Sequence, residues 1–316
     1  MAGQFTHILV AKHALDKIAL TMDAPFFEHR AFVLAGSVAP DLPYFVKGYG
    51  ESFEWAERMH HFNTKTAILS GLDYLRNNYS EKSHAWYMGY IAHIMTDLVT
   101  HPVVNSLSGP YYKKKKQEEA QHGHRFTEMV QDSYAIKEFS GDYSINDFAD
   151  TVKKAGHKGS ESLIDPDIKS IWNHMFSKVD EAYYSIEKPS IDRWFQVYIE
   201  FMSNPEDISG LGSKELFHIL GTKAMYYRDF KQVSGEVMIK YIDNVPYPRK
   251  CNALQKPLKS RRLIYKEVFE KAVSVVVDTW QDILSDEEGF RKDVRNFSLD
   301  TGALIGESHH AKPIYW

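Results

Sequence analysis

The sequence predicts an all-α fold with many helices, and three observations lead to this prediction. Most segments of the 316 residues repeat apolar side chains at steps of three and four, beginning with residues 5–20. Strand signals are few, and the β-branched run at 273–277 lies inside an amphipathic stretch long enough for a helix. Turn-forming Pro and Gly separate the helical stretches. We therefore expect a single all-α domain over residues 1–316, with a core at about 1–140 and a helical remainder at 141–316.

The helical pattern is interrupted where Pro restricts the backbone. Residues 39–43, Ala-Pro-Asp-Leu-Pro, cannot be helix interior, because each Pro disfavours helical geometry at the residue before it. The sequences at 108–110 and 204–205 each end a helix, and the Pro-containing residues 243–259 predict a long surface connection. The predicted helices are residues 5–20, 54–75, 85–107, 121–134, 144–155, 166–186, 191–202, 213–230 and 262–284.

Composition narrows the class of protein. Hydrophobic residues make up 43% and charged residues 25% of the chain, which is typical of a soluble globular protein. The formal net charge of −4 gives no basic excess, so we expect no specific nucleic-acid partner. A single cysteine, Cys251, excludes an internal disulfide and a Cys-based zinc cage. We see no signal peptide and no apolar run of about 18 residues, and therefore expect a cytoplasmic location.

One predicted helix carries a His-x3-Asp-x3-His pattern, formed by His93, Asp97 and His101. Steps of four place the three side chains on one helix face. His93 and His101 are two turns apart, about 12 Å along the axis, which is too far for both to bind one ion. The carboxylate of Asp97 lies between them. The pattern therefore suits two or more metal ions bridged by Asp97.

A second pattern, His-x3-Glu, follows at His124 and Glu128. On a helix it places an imidazole and a carboxylate one turn apart, where both can bind one Zn²⁺ ion. Alternatively, the two side chains form an ordinary pair on the exposed face of the helix. Upstream lie further nitrogen and oxygen donors, in a segment without cysteine. They are His7, Asp41, His60 and His61.

The order of these motifs resembles the zinc-dependent phospholipase C family, which is related in fold to the S1/P1 nucleases. The resemblance covers about residues 3–130 and includes Thr6-His7, Ala39-Pro40-Asp41 and His61-Phe62, followed by the two histidine patterns. It implies an all-α domain whose metal-site core holds a trinuclear zinc site, and from the number of ligands we expect two to three Zn²⁺ ions. The secreted bacterial phospholipases space the counterparts of Asp97 and His101 more widely than this chain does.

The resemblance also implies which residues bind each ion. One zinc would be held by His61, His93 and Asp41, with Asp97 as a bridge, and His60 is the rival of His61 for this place. His61 is preferred because the family pattern is His-Phe. A second zinc would be held by His7 and Asp97, and a third by His101, His124 and Glu128.

The predicted function is zinc-dependent hydrolysis of a phosphodiester bond, similar to phospholipase C, on a phospholipid or a small intracellular phosphodiester. A metal-bound water would attack the phosphate, and Asp41 would also act as a general base. Alternatively, Asp41 only accepts a hydrogen bond from a nearby backbone amide at the turn. Two other readings of the chain stay open, an S1/P1-like nuclease and a metal-stabilised helical module without catalysis.

Two regions carry further expectations. Residues 113–116 are four consecutive lysines, which form a solvated loop or a patch that meets an anionic membrane surface. The amine of Ala2, freed by removal of Met1, reaches far enough to join His7 on a zinc, and a frayed terminus is the equal alternative.

Overall fold

The computed structural model describes residues 3–46, 51–108, 117–142, 145–157, 160–180, 190–203 and 265–299. Almost all of this part of the chain is helical, so the predicted all-α class is confirmed. We number the α-helices in chain order over these residues. They are α1 (Gln4–Ile18), α2 (Arg30–Gly36), α3 (Glu51–His61), α4 (Thr64–Asn77), α5 (Glu81–Ser108), α6 (Gln117–Phe139), α7 (Ile145–Lys153), α8 (Pro166–Asp180), α9 (Ile191–Ser203), α10 (Tyr265–Ser285) and α11 (Glu287–Asp293).

Short elements complete the architecture. Two 3-10 helices, Pro25–His29 and Ala39–Phe45, lie on either side of α2. Strands β1 (Gly156–His157) and β2 (Ser160–Ile164) form a small antiparallel ribbon between α7 and α8. The run of valines at 273–277 lies within α10, as its amphipathic surroundings predict.

Two local predictions are wrong. The helix predicted over 54–75 is two helices, because the backbone at Asn63 leaves helical geometry and α4 begins at the next residue. Asn is a favoured residue at such a helix start, since its competition with the backbone disfavours helix interior. Residues 39–43 were predicted to be non-helical, yet they belong to a 3-10 helix. Its tighter i to i+3 bonds, such as that from the Asp41 N–H to the Val38 carbonyl, accommodate the two Pro.

Helix α5 lies at the centre of the packing. It contacts α1, α2, α4, α6 and α10, and its apolar residues belong to one core cluster with those of these helices. The indole of Trp280 on α10 donates a hydrogen bond of 2.9 Å to the backbone carbonyl of Met88 on α5. Helix α10 packs on α1 and α5, and the single domain expected over 1–316 stays a prediction.

Helices α2 and α5 approach closely at a pair of glycines. A Cβ atom at Gly36 would lie 2.0 Å from the carbonyl oxygen of Trp86, and one at Gly89 would lie 2.0 Å from the carbonyl oxygen of Val33. Any side chain larger than hydrogen would therefore separate the two backbones. This contact matters for function because Ser37, the residue after α2, is held beside His93 of α5.

Several predictions lie outside the described residues. They concern the helix at 213–230, the connection at 243–259, the lysines at 113–116, Cys251 and Ala2. Within the residues that are described, no helix combines the length and the apolar character needed to cross a membrane.

Candidate metal centre

Helix α5 brings three potential ligands to one buried face. His93, Asp97 and His101 follow one another at single-turn intervals, and all three are buried. This is the arrangement that steps of four on a helix require. Neighbouring elements supply further donors, which form three groups around the face of α5.

The first group consists of Asp41, His60 and His93. The Nε2 atom of His60 lies 3.1 Å from Oδ1 of Asp41 and 3.2 Å from Nε2 of His93. Asp41 comes from the 3-10 helix Ala39–Phe45, and His60 comes from the last turn of α3. The 3-10 helix Ala39–Phe45 and the end of α3 therefore place side chains at the same point.

The second group consists of His7, His93 and Asp97. Nε2 of His7 lies 3.1 Å from Oδ1 of Asp97, and the rings of His7 and His93 stack with centroids 4.1 Å apart. The first turn of α1, which carries His7, is held by the buried carboxylate of Asp132 on α6. That carboxylate accepts hydrogen bonds from the Thr6 N–H at 2.7 Å and the Thr6 hydroxyl at 2.8 Å.

The third group consists of His101, His124 and Glu128. Oε1 of Glu128 lies 2.8 Å from Nε2 of His124 and 3.3 Å from Nε2 of His101. His124 and Glu128 are one turn apart on α6, so the His-x3-Glu spacing does place both side chains on one face. Both side chains are buried, which argues against an ordinary pair on the exposed face of the helix.

Asp97 lies between the groups. Its Oδ1 atom faces His7 and also lies 3.3 Å from Nε2 of His101. Its Oδ2 atom lies 3.2 Å from Nε2 of His93 and 3.8 Å from Nε2 of His60. One carboxylate thus contacts imidazoles from all three groups, as expected of a bridging ligand.

Hydrogen bonds to backbone carbonyls fix which imidazole nitrogen faces the centre. Nδ1 of His60 lies 2.7 Å from the Ala56 carbonyl oxygen, and Nδ1 of His93 lies 2.9 Å from that of Ser37. A carbonyl oxygen can only accept, so each Nδ1 carries the proton. The Nε2 atoms of His60 and His93 therefore face each other, 3.2 Å apart, beside two carboxylates. A bound cation satisfies this arrangement, and such second contacts typically orient metal-binding His.

The electrostatics of the centre also favour positive charge. Burial alone raises the pKa of Asp97, but the imidazoles of His101, His93 and His7 outweigh it and hold that pKa well below its ordinary value. Burial likewise raises the pKa of Asp41, and His93 and His60 outweigh it in the same way. Burial lowers the pKa of His93, yet Asp97 and Asp41 overcome this effect and raise it. The two carboxylates thus attract a proton to His93 that a metal ion would displace.

The residues fit zinc. Imidazole nitrogens and carboxylate oxygens are donors that Zn²⁺ accepts, and each group offers at least three within one compact site. Among the described residues, the ion-pair partners of Asp41 and Asp97 are all imidazoles. Oδ2 of Asp41 is buried without a hydrogen bond in this part of the chain. A buried carboxylate in this state costs free energy unless a cation binds it.

Seven of the eight predicted ligands lie together in the structure, and the eighth, His61, does not. His7, Asp41, His93, Asp97, His101, His124 and Glu128 all lie in the three groups. In the place predicted for His61, however, the structure has His60, the rival. Adjacent residues on a helix point about 100° apart, so only one of the pair can face the centre. His61 instead lies with its Nε2 atom 3.6 Å from Oε1 of Glu57 on the same helix.

Sequence reasoning missed the groups that support the centre. The carbonyls of Ala56 and Ser37 are backbone atoms, so no residue pattern reveals them. Asp132 lies four residues after Glu128 and therefore one turn further along the same face of α6. That spacing is a signal that extends the His-x3-Glu pattern to His-x3-Glu-x3-Asp.

Comparison with known families identifies the chain. The sequence model of zinc-dependent phospholipase C matches residues 6–182, which is more than half of the 316 residues. The chain belongs to the zinc-dependent phospholipase C family. All members of the three groups lie within the matched region. Membership in this phospholipase C family supports a zinc-dependent hydrolase of phosphodiester bonds.

Comparisons with curated proteins and with solved structures gave no match.

Proposed function

We propose that this protein hydrolyses the phosphodiester bond of a phospholipid, with Zn²⁺ ions held by the three groups around α5. The observation that carries the proposal is the pair of Nε2 atoms of His60 and His93 that face each other, 3.2 Å apart, beside Asp41 and Asp97. Family membership supports the reaction class and a lipid substrate. When bound, clustered zinc ions neutralise charge on the phosphate and lower the pKa of water, which are the two needs of this hydrolysis.

In this proposal the first zinc is bound by Asp41, His60 and His93, the second by His7 and Asp97, and the third by His101, His124 and Glu128. Asp97 is the residue shared between neighbouring ions, because its two oxygens face different imidazoles, whereas His93 can bind only through its Nε2 atom. The backbone carbonyls behind His60 and His93 keep both rings oriented and hold their Nδ1 protons on the side away from the centre.

Asp41 has a second role in the proposal. Its Oδ1 atom faces His60, whereas its Oδ2 atom is buried without a hydrogen bond among the described residues. The neighbouring imidazoles lower the pKa of Asp41, so the carboxylate is ionised at neutral pH. Oδ2 is therefore the atom that would take the proton from the attacking water.

We expect Asp41→Asn to reduce turnover by about 100-fold or more, the usual size of a general-base contribution. Zinc content should fall by at most one ion per chain, because the other two groups do not contain Asp41. Elemental analysis and steady-state kinetics on the same preparation test this. A loss of turnover that merely follows the loss of zinc would make Asp41 a ligand and not a base.

The substrate is tested by three parallel assays on the purified protein. Vesicles of phosphatidylcholine should release diacylglycerol, the activity should stop on chelation, and added Zn²⁺ should restore it. Cleavage of single-stranded DNA without lipid hydrolysis would instead establish the S1/P1-like nuclease. Inactivity towards lipid, DNA and a chromogenic phosphodiester would leave a metal-stabilised helical module. Binding to an anionic membrane surface through residues 113–116 and a cytoplasmic location stay predictions.

A further inference from the structure

The residues that follow α11 return to the metal centre. We define residues 294–299 as the C-terminal strap. They lie more than 100 residues beyond the region that matches the family, and none of them belongs to the three groups of donors. Two strap residues at its end, Ser298 and Leu299, are buried.

Leu299 makes two backbone contacts, each to a residue of the metal centre. Its N–H donates a hydrogen bond of 2.8 Å to the carbonyl oxygen of His60. Its carbonyl oxygen lies 3.0 Å from Nδ1 of His101. A single strap residue therefore connects the end of α3, in the first group, with α5, in the third group.

The contact with His101 determines the tautomer of that ring. The carbonyl oxygen of Leu299 can only accept, so Nδ1 of His101 carries the proton. Nε2 of His101 is then the ring nitrogen left to bind an ion, and it lies 3.3 Å from both Asp97 and Glu128. The strap thus orients the ring of His101 through a backbone carbonyl, as the carbonyls of Ala56 and Ser37 orient the rings of His60 and His93.

Two residues at the start of α4 anchor the strap. The hydroxyl of Thr64 accepts a hydrogen bond of 2.9 Å from the Phe297 N–H and donates one of 3.0 Å to the Phe297 carbonyl. The Lys65 N–H donates a hydrogen bond of 2.9 Å to Oδ1 of Asn296. The Lys65 N–H belongs to the first turn of α4, whose backbone donors have no partner within their own helix, so the strap satisfies one of them.

We propose that the C-terminal strap is a positioning element of the metal centre, anchored by Thr64 and Asn296, which fixes the tautomer of His101 and the end of α3. The proposal rests on the proposed function in one respect, that the groups around α5 hold zinc. Contacts of this kind typically change metal affinity by about 10- to 100-fold. The strap therefore makes a distant part of the chain necessary for full zinc binding.

The test uses Thr64→Val in the full chain, which keeps the shape of the side chain and removes both bonds to Phe297. We expect zinc to pass to a competing chelator at least about 10-fold more readily than in the unchanged protein. Thr64→Ser restores the hydroxyl and should behave as the unchanged protein does. Thr279→Val is the matched control, because Thr279 is a buried Thr whose hydroxyl bonds within α10 to Val275.

Unchanged zinc transfer in Thr64→Val would overturn the proposal, and so would an equal effect of Thr279→Val. If Thr64→Val does not fold, Asn296→Ala removes the other anchor at a partly exposed position and should give the same direction of change. Amide hydrogen exchange of Leu299 in metal-free protein supplies a second readout. Its N–H, which donates to the His60 carbonyl, should exchange slowly in the unchanged protein and faster in Thr64→Val. Because this readout needs no zinc, it tests the strap even if the protein binds none.

Discussion

Replacing Asp97 by Asn is expected to remove more than one zinc ion from the protein. The Asp97 carboxylate lies within 3.3 Å of the Nε2 atoms of His7, His93 and His101, so the change affects neighbouring groups together. An amide keeps the size of the side chain but loses the negative charge and one acceptor oxygen. Phosphodiester hydrolysis should fall by about 10³-fold, similar to the loss of a charge-stabilising group in other active sites. Elemental analysis and kinetics measure both effects.

Asp165→Asn is the matched control for this change. Asp165 is also a buried aspartate, but its carboxylate binds the ammonium group of Lys82 at 2.7 Å and belongs to none of the three groups. This variant should keep the full zinc content. If Asp97→Asn loses only one ion and retains the others, Asp97 does not bridge.

His60→Ala and His61→Ala should differ sharply, although the two residues are adjacent. His60 lies 3.1 Å from Asp41 and 3.2 Å from His93, so its removal should cost one zinc ion and about 10²- to 10³-fold in activity. His61 faces Glu57 on its own helix, and its removal should leave the zinc content unchanged.

The two variants serve as controls for each other, because they remove the same side chain from the same turn of α3. Measuring zinc per chain in both preparations decides between them. Loss of zinc from His61→Ala with retention in His60→Ala would restore the His-Phe pattern of the family and would contradict the geometry described above.

The helical fold and most of the centre can be predicted from the sequence because both depend on spacing along helices. Residues four apart share a face, so His93, Asp97 and His101 are placed correctly relative to one another once α5 is recognised. The same holds for His124 and Glu128 on α6.

The choice between His60 and His61 depends instead on the rotation of α3 about its axis. That rotation is determined by packing and by the end of the helix before Asn63, which the sequence pattern did not indicate. The contacts of Leu299 with His60 and His101 join residues that are 239 and 198 positions apart in the sequence, and Leu299 makes both through its backbone atoms. Neither property can be read from the identity of the residues.

The most direct test of the central claim is elemental analysis of purified protein that has not been dialysed against a chelator. Three groups of buried His, Asp and Glu predict two to three zinc ions per chain. Zinc at background level, in protein that is folded and has been supplied with Zn²⁺, would contradict the account.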